Sequence, residues 1–314
     1  MQCPVCGATA RRFGCDRHGH QRYQCPACPR TFLDPDELRE DRRRLPPDRA
    51  AFCLRMILEG VSVRSTERLT GTHRDTILAT MVAAGERCQH FLETAVRGVA
   101  VLDVQADEVW GFVGCKEKTR ERRDYPDDMG DAYCFTALER ASKFIITWHL
   151  GKRCPADTYA FAQKLRDATN GRFQLTTDGF RPYLTAILGT LGGRVDFATL
   201  VKVYGESEDE RRYSPPRVLQ VVPTIRAGAP DPARICTSHV ERSNLSVRMS
   251  IRRMTRLTNA FSKKWSNHEA ALALFFGYYN FVRVHMTLRT TPAVAIGLTD
   301  RPWTVAELLR RVVI

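Results

Sequence analysis

Residues 99–114 read VAVLDVQADEVWGFVG. Its apolar residues recur with a period of two, which is typical of a β-strand. Acidic side chains interrupt the pattern, and Asp103, Gln105 and Asp107 lie on one face because successive side chains of a strand point to opposite sides. The sequence therefore predicts a strand that carries carboxylates on one face.

The residues that follow predict an α/β domain. Further strands are expected at 132–138, 144–150, within 173–180 and at 195–203, with helices at 155–169 and 181–191. Three antiparallel strands followed by helix, strand, helix and strand is the order of a ribonuclease-H-like domain, a mixed five-stranded sheet flanked by helices. This order places Asp107 on the central strand and Asp178 at the carboxyl end of its neighbour.

Composition restricts the class of protein. The 314 residues are 43% hydrophobic and 26% charged, as in a soluble globular protein, which excludes a disordered or fibrous chain. The longest apolar run, 270–282, is shorter than the ~18 residues that span a bilayer, so no membrane helix is expected. The N-terminus has no apolar segment of the kind found in secretory signals, so we expect a cytoplasmic protein.

The charge is strongly basic. Forty-eight Lys and Arg oppose 35 Asp and Glu, a net charge of +13, and the pI is near 9.5. This excess favours a polyanionic partner, and it concentrates in residues 11–49 and 242–264.

The first residues carry two CxxC pairs, CPVC and CPAC. Cys3, Cys6, Cys25 and Cys28 have the spacing of a four-cysteine zinc ribbon, in which the metal supplies the folding free energy that so small a module lacks. The alternative is two redox-active or incidental pairs. Three side chains between the pairs could compete as ligands: Cys15, His18 and His20.

A helical region follows a charged linker at 36–46. A first helix begins at Asp48, a second covers 62–69 and Gly71 makes a tight turn. Thr72 and Asp75 have the spacing of a capping box that starts a third helix. Helix, turn and capped helix is the helix-turn-helix layout, although any three-helix bundle produces the same pattern.

In a helix-turn-helix the last helix enters the major groove of DNA. The side chains that would face the bases are His73, Arg74 and Thr76.

A Pro- and charge-rich stretch, 205–232, separates the α/β core from SHVERSNLSVRMSIRRMTRLTNAFSKKW at 238–265. Ser238 and Glu241 have capping-box spacing, so Glu241 either caps its own helix or ligates a metal.

Glu241 precedes a basic helix face. Arg248 and Arg252 follow it by seven and eleven residues, which returns both to its side of a helix, and Arg253 is adjacent. A carboxylate beside arginines suits phosphoryl transfer, because acids hold Mg²⁺ while arginines hold the phosphate backbone.

Nearly the whole chain resembles the insertion-sequence-one family of transposases. The segments that carry the resemblance are CPVC with CPAC, the helix pair around Gly71, DEVWGFVG at 107–114, LTTDGFRPY at 175–183 and the long block from Thr237 to Ala293.

The resemblance implies a catalytic site. In that family the DEVW Asp, the TTDG Asp and the HVER Glu form the DDE triad, with a basic residue seven positions after the Glu; these correspond to Asp107, Asp178, Glu241 and Arg248. Periodicity alone leaves Asp103 as an alternative to Asp107, and only the motif selects between them. The implied activity is Mg²⁺-dependent DNA cleavage and strand transfer at terminal inverted repeats, without a covalent protein intermediate.

The resulting organisation is a zinc ribbon at 1–35, a helix-turn-helix at 46–92, a catalytic domain at 98–290 and a C-terminal tail at 291–314. We expect structural Zn²⁺ and catalytic Mg²⁺, double-stranded DNA as partner (element ends and target), and a homodimer or higher oligomer on DNA, in the nucleoid of a prokaryotic cell. Two rival functions remain: a DNA-binding regulator with an inactive nuclease-like domain, and a hydrolytic nuclease without strand transfer.

Other polar residues are expected to serve the fold rather than the chemistry. Glu108 and the acids of 124–131 are predicted to be solvated surface. One aromatic and polar group in the apolar C-terminal region could supply a nucleophile and a base but is predicted to be core: Tyr278, Tyr279, Asn280 and His285.

Overall fold

The computed structural model is a mixed α/β protein. It describes residues 1–16, 21–33, 45–205 and 218–312. His18, His20, most of the predicted linker at 36–46 and residues 206–217 lie outside the described residues.

A small antiparallel sheet opens the chain. Its strands are β1 (Arg11–Cys15), β2 (Gln21–Gln24) and β3 (Thr31–Leu33), in the order β1-β2-β3. The first cysteine pair precedes β1, and the second lies in the turn between β2 and β3. The backbone closes each knuckle, since Gly7 N–H donates to the Cys3 carbonyl and Cys25 N–H to the Arg30 carbonyl.

The remaining strands belong to the main part of the chain. They are β4 (Val99–Ala100), β5 (Asp103–Val113), β6 (Gly130–Glu139), β7 (Ile145–Gly151), β8 (Thr169–Asn170), β9 (Phe173–Thr177), β10 (Val195–Tyr204) and β11 (Val218–Ala227). Strands β4 and β8 pair with each other, and the others form a six-stranded sheet in the order β11-β10-β9-β5-β6-β7.

The main sheet is mixed. Strands β5, β6 and β7 form the predicted antiparallel meander, and β9 and β10 run parallel to β5. The predicted count of five strands is wrong, because β11 pairs antiparallel with β10 in the Pro- and charge-rich stretch 205–232, where no strand is expected from the sequence. Pro223 fits there because β11 is an edge strand, where a residue without an N–H group is tolerated.

Ten α-helices occur in the described residues. They are α1 (Pro47–Leu58), α2 (Val63–Thr70), α3 (Arg74–Ala95), α4 (Glu117–Arg123), α5 (Pro155–Ala168), α6 (Pro182–Leu191), α7 (Ser238–Ser250), α8 (Trp265–Phe281), α9 (Pro292–Ala295) and α10 (Val305–Val312). None of the helices in the described part of the chain is long and apolar enough to cross a membrane.

Helices cover both faces of the main sheet. On one face Phe135 of β6 contacts Phe161 of α5 and Tyr183 of α6. On the other face Trp148 of β7 contacts Phe276 of α8. Each strand of the meander is therefore packed on both sides, whereas the edge strand β11 is mostly exposed.

The turn between α2 and α3 follows the prediction in part. Gly71 adopts a left-handed conformation with φ of 65°, which glycine accepts without steric cost, and ends α2. The predicted cap is wrong, because the N-cap of α3 is His73, whose Nδ1 accepts from Asp75 N–H. Thr72 is instead buried, and its hydroxyl accepts from Arg49 Nε at 2.9 Å.

Helix α3 joins the N-terminal helices to the core of the sheet. It packs along α8, and the two backbones approach most closely where Gly85 faces the carbonyl of Ala270. The predicted tail also packs here, since Trp303 and Leu308 are buried in the same hydrophobic core. Helices α1 to α3, the sheet and the C-terminal helices thus share one core.

The apolar helix α8 lies in the hydrophobic core, and the polar residues near its end are buried there, as predicted. Tyr278 and Tyr279 are buried, and Asn280 is completely buried. The Asn280 amide accepts from Ile145 N–H and donates to the Ile145 carbonyl, at 3.0 and 2.9 Å. Its polar group therefore satisfies the backbone of the edge strand β7 instead of serving chemistry.

The close approach of α3 and α8 predicts the effect of adding one methyl group. A Cβ on Gly85 would overlap the Ala270 carbonyl, so Gly85→Ala should destabilise the protein by about 2 kcal/mol or more. Gly189, in the exposed part of α6, is the control: its Cβ would meet only the Tyr159 ring at 3.8 Å, so Gly189→Ala should stabilise by about 0.5–1 kcal/mol. Urea unfolding of both variants measures this, and equal effects would contradict the helix contact.

Candidate active site

Strand pairing brings two of the predicted carboxylates together. Asp107 lies within β5, and Asp178 directly follows β9, the parallel neighbour of β5. The register pairs Ala106 with Thr177, so the next residue of each strand is an aspartate. Carboxylate oxygens of Asp107, Asp178 and Glu108 all lie within 4.8 Å of one another, a spacing that could hold a metal ion.

Asp107 is held by a residue from α7. The Asn244 amide donates to Asp107 Oδ2 at 2.8 Å, and its oxygen lies 3.5 Å from the Thr136 hydroxyl. Burial is the main cause that raises the pKa of Asp107 to about 7, and the neighbouring charges of Glu108 and Asp178 add to it. A cation near this carboxylate would offset the repulsion.

Glu108 contradicts the prediction that it is solvated surface, because only 4% of its side chain is exposed. It points to the opposite sheet face from Asp107, but α5 and α6 cover that face too. Its carboxylate accepts from Arg153 Nε at 2.6 Å and from the Tyr183 hydroxyl at 3.0 Å. Burial and Asp178 raise the pKa of Glu108, while Arg153 opposes that shift.

Glu241 lines the same cleft but stands apart from the three clustered acids. Its carboxylate accepts from the Thr237 hydroxyl at 2.7 Å and contacts Lys202 Nζ. The cap prediction for Glu241 is wrong. The N-cap is Thr237, and Ser238 is already the first helical residue, with its hydroxyl beside Cys236 Sγ.

The N-terminus of α7 is capped from the sheet. Gln105 Oε1 accepts from the backbone N–H groups of His239 and Val240 at 3.0 and 3.2 Å. Gln105 lies two residues before Asp107 on β5, on the same face. The helix that carries Glu241 is thus fixed to the strand that carries Asp107 at two points, Gln105 and Asn244.

Asp107, Asp178 and Glu241 line a cleft of about 840 Å³. Its charged lining consists of three acids and three cations: Asp107, Asp178, Glu241, Arg153, Arg181 and Lys202.

Asp103 lies outside the cluster, although it shares the strand with Asp107. It is buried at the start of β5, and Arg140 donates to its Oδ2 at 3.1 Å. Its role here is an ion pair with the β6–β7 turn.

The predicted basic face does not continue along one helix. Arg248 donates to the carbonyls of Trp110 and Met254, at 3.1 and 3.2 Å, and so ties the end of α7 to β5. Helix α7 ends at Ser250, so Arg252 lies in the following 3₁₀ turn and is exposed, and the prediction that it shares a helix with Glu241 is wrong.

Arg253 faces inward. It donates to the Ser262 hydroxyl at 3.2 Å and the Asn267 carbonyl at 2.8 Å, and burial lowers its pKa to about 10.

A second cavity, of about 1140 Å³, separates α1 to α3 from the segment 252–264. Its charged lining is almost entirely basic, with one acid, Asp75, and six cations: Arg64, Arg74, Arg252, Arg253, Lys263 and Lys264. His73, Arg74 and Thr76, which were predicted to face bases, are all exposed at the start of α3 beside this cavity.

The four N-terminal cysteines form a possible metal site. Cys3 and Cys28 Sγ are 3.6 Å apart, and Cys6 and Cys25 Sγ are 3.4 Å apart. All four sulfurs lie within 4.8 Å of one another. A tetrahedral site with Zn–S bonds of about 2.3 Å needs sulfur separations of roughly 3.8 Å, so the arrangement fits zinc.

Backbone N–H groups favour thiolates at Cys3 and Cys25, whereas the Cys25 thiol and burial raise the pKa of Cys6 to about 12, and burial and Cys25 raise the pKa of Cys28. Hydrogen bonds from the N–H groups of Val5 and Cys6 are the main cause that lowers the pKa of Cys3 to about 6. The N–H of Cys28 is the main cause that lowers the pKa of Cys25. Thiolates are the form that binds metal.

No protein-family model matches the sequence. Among solved structures, the chain is similar to a piggyBac transposase in a synaptic complex with hairpin DNA, at 9% identity and a TM-score of 0.36. The similarity covers 85% of this chain and 70% of that chain. The side-chain geometry of the cleft, not this distant likeness, is the basis for assigning a function.

The raised pKa of Asp107 predicts a pH-dependent stability. The folded carboxyl holds its proton more tightly than the unfolded one, whose pKa is near 3.8, so its contribution is present at low pH and lost as pH rises through about 7. Asp107→Asn should therefore stabilise the metal-free protein by about 2–4 kcal/mol at pH 8.

Urea unfolding at pH 8 and pH 4 checks this expectation. The gain should shrink toward pH 4, and Asp127→Asn, at a 98% exposed carboxylate, should change little at either pH. A loss of stability at pH 8, or an equal gain at both values, would contradict the account of Asp107.

Proposed function

We propose that the protein is a DNA transposase of the DDE type, with a ribonuclease-H-like catalytic domain that performs Mg²⁺-dependent cleavage and strand transfer. The observation that carries the proposal is the meeting of Asp107 and Asp178 at the adjoining positions of neighbouring parallel strands, with Glu241 across the same cleft. The resemblance to the insertion-sequence-one family selects the same three residues. The sheet of three antiparallel strands followed by two parallel strands supports the ribonuclease-H-like assignment.

The residues present fit divalent metal ions. Asp107, Asp178 and Glu241 offer hard oxygen ligands. The carboxylates of Asp107, Glu108 and Asp178 repel one another, and a bound cation would offset their negative charge. Bound Mg²⁺ ions would activate the attacking oxygen and stabilise the leaving oxygen of the phosphodiester.

The protein's own part in the reaction is to hold these ligands in place. Asn244 orients the Asp107 carboxylate, and Gln105 fixes the start of the helix that carries Glu241. Arg248 fixes the far end of that helix to β5, by donating to the Trp110 carbonyl. Preorganised ligands of this kind need no rearrangement at the moment of reaction.

Double-stranded DNA is the proposed partner. Most of the charged residues that line the cavity between α1 to α3 and segment 252–264 are cations, which suits a phosphate backbone. In this proposal the exposed start of α3, with His73, Arg74 and Thr76, contacts bases, and Arg252 contacts phosphate. Arg253 would support that surface from beneath, because its guanidinium is engaged by Ser262 and Asn267.

Strand transfer tests the catalytic assignment. Glu241→Gln and Asp178→Asn should each lower joining of pre-cut DNA from the gene's flanks by about a hundredfold or more in Mg²⁺, while thermal unfolding stays normal. Glu93→Gln is the matched control, because Glu93 also pairs with a lysine, Lys164, but lies outside the cleft.

Three outcomes would overturn parts of the proposal. Joining by Glu241→Gln at near wild-type rate would remove that residue from the triad. Cleavage by the wild type without joining would indicate a hydrolytic nuclease, and specific DNA binding without either reaction would indicate a regulator.

Metal analysis tests the proposed zinc ribbon. Purified wild-type protein should contain one Zn²⁺ per chain at the four-cysteine site, and Cys25→Ser should lose it. Cys15→Ser, at an exposed cysteine between the pairs, should keep it. Equal zinc in the wild type and Cys25→Ser, or none in the wild type, would contradict the assignment.

A further inference from the structure

Two cations pair with the carboxylates of the cleft. Lys202, on β10, contacts the Glu241 carboxylate. Arg153, between β7 and α5, donates to Glu108 at 2.6 Å, and its other end lies 3.8 Å from Asp178. Both cations line the cleft itself, so the acids of the site have counter-ions supplied by the chain.

Both cations reach the solvent side of the cleft. The Lys202 side chain is 23% exposed and that of Arg153 is 41% exposed. The Arg153 guanidinium lies 4.2 Å from the centre of the Phe180 ring, which also lines the cleft. Lys202 has no such stacking contact recorded among the described residues, and its flexible stem lets the ammonium change partner.

The pairing conflicts with metal binding at the same oxygens. A carboxylate oxygen that ligates a divalent ion is no longer free to hold a lysine ammonium, and the ammonium and the ion repel each other across a few ångströms. An ion on the Lys202-bound oxygen of Glu241 would therefore displace Lys202, and an ion on Asp178 would repel the Arg153 guanidinium, which keeps its hydrogen bond to Glu108. Both cations still line the cleft, where the phosphodiester of a bound DNA would be a new anionic partner.

We propose that Lys202 and Arg153 are phosphate-binding residues of the cleft, which act as counter-ions of Glu241 and of the Glu108–Asp178 pair until divalent ions bind there. The inference rests on the proposed function. It makes metal binding and DNA binding mutually supportive, because ions on Glu241 and Asp178 free the charge of Lys202 and part of the charge of Arg153 for the DNA backbone.

An ion pair that only stabilises the fold should behave differently from the pairs in the cleft. Lys164 and Glu93 form a pair with similar exposure, 34% and 47%, outside the cleft, and Glu93 belongs to neither possible metal site of the described residues. Removing Lys164 should therefore alter neither metal nor DNA binding. The comparison of Lys202→Met with Lys164→Met separates a counter-ion that changes partner from one that does not.

The experiment measures both equilibria on the full chain. Mn²⁺ binding without DNA is followed by calorimetry, and binding of flank DNA is followed over a series of salt concentrations, with Ca²⁺ and with EDTA. Lys202→Met and Lys164→Met are compared, and Lys202→Arg keeps the charge. For Arg153, whose loss would leave Glu108 buried and unpaired, Arg153→Lys is the safer variant, with Arg172→Lys as control because Arg172 pairs with Asp196 outside the cleft.

Lys202→Met should bind Mn²⁺ about three- to fivefold more tightly, since the ion no longer displaces a lysine. In Ca²⁺ it should bind DNA about tenfold more weakly, with a salt slope smaller by about one. In EDTA its DNA affinity should equal that of the wild type. Lys202→Arg should restore DNA binding, and Arg153→Lys should weaken it in Ca²⁺ only.

Several results would overturn the inference. They are unchanged DNA affinity of Lys202→Met in Ca²⁺, an equal loss in Ca²⁺ and EDTA, or unchanged or weaker Mn²⁺ binding. In each case the triad assignment stands if wild-type Mn²⁺ binding is still abolished by Asp107→Asn. If Asp107→Asn has no effect on Mn²⁺ binding, the proposed function and the inference fall together.

Discussion

The parallel pairing of β5 with β9 is the constraint on which the candidate site depends. It aligns Ala106 with Thr177 and so places Asp107 beside Asp178. Side chains alternate along a strand, so a shift by one residue would turn Asp107 to the face covered by α5 and α6. Burial on both faces of the sheet makes such a shift costly, because it would exchange buried apolar residues for polar ones.

Bringing carboxylates together creates a repulsion that the fold must offset. The chain does so with three separate contacts, each from a different element: Asn244 on Asp107, Arg153 on Glu108 and Lys202 on Glu241. The neutral amide lies on Asp107, and the two cations lie on Glu108 and Glu241. Glu108 is buried whereas the Glu241 side chain is 41% exposed, so solvent screens the second ion pair more than the first.

Local signals in the sequence were sufficient for much of the fold. The left-handed turn at Gly71 and the alternation in β5 depend on a few neighbouring residues, and the structure has both. Strand β11 was missed because Pro223 and the surrounding charges are typical of a loop, and only pairing with β10 makes the segment a strand. The N-cap of α7 was misplaced by one residue, because the cap comes from Gln105, far away in the sequence.

The contacts between side chains of the site also depend on residues that are distant in the sequence, so most of them could not be predicted. Periodicity shows that Glu108 faces away from Asp107, but only the tertiary fold shows that the second face is also buried. Asn244 is accessible from the sequence, since it lies three residues after Glu241 on one helix and both residues therefore point to the same side of that helix. Nothing in the sequence connects Lys202 with Glu241, because their contact depends on where β10 lies against α7.

The shared core links the proposed DNA-binding helices to the cleft. Helix α3 carries the exposed residues of the basic cavity at its start, and it packs along α8 in the same core as the sheet. Segment 252–264, the other wall of that cavity, follows directly after α7, which carries Glu241. The basic wall is therefore connected to the acidic cleft by one short turn and by α7. Helix α7 is fixed to β5 by Gln105, Asn244 and Arg248. Because these anchors lie along the length of α7, DNA held in the cavity would be registered against Asp107 by a rigid element rather than by a flexible linker.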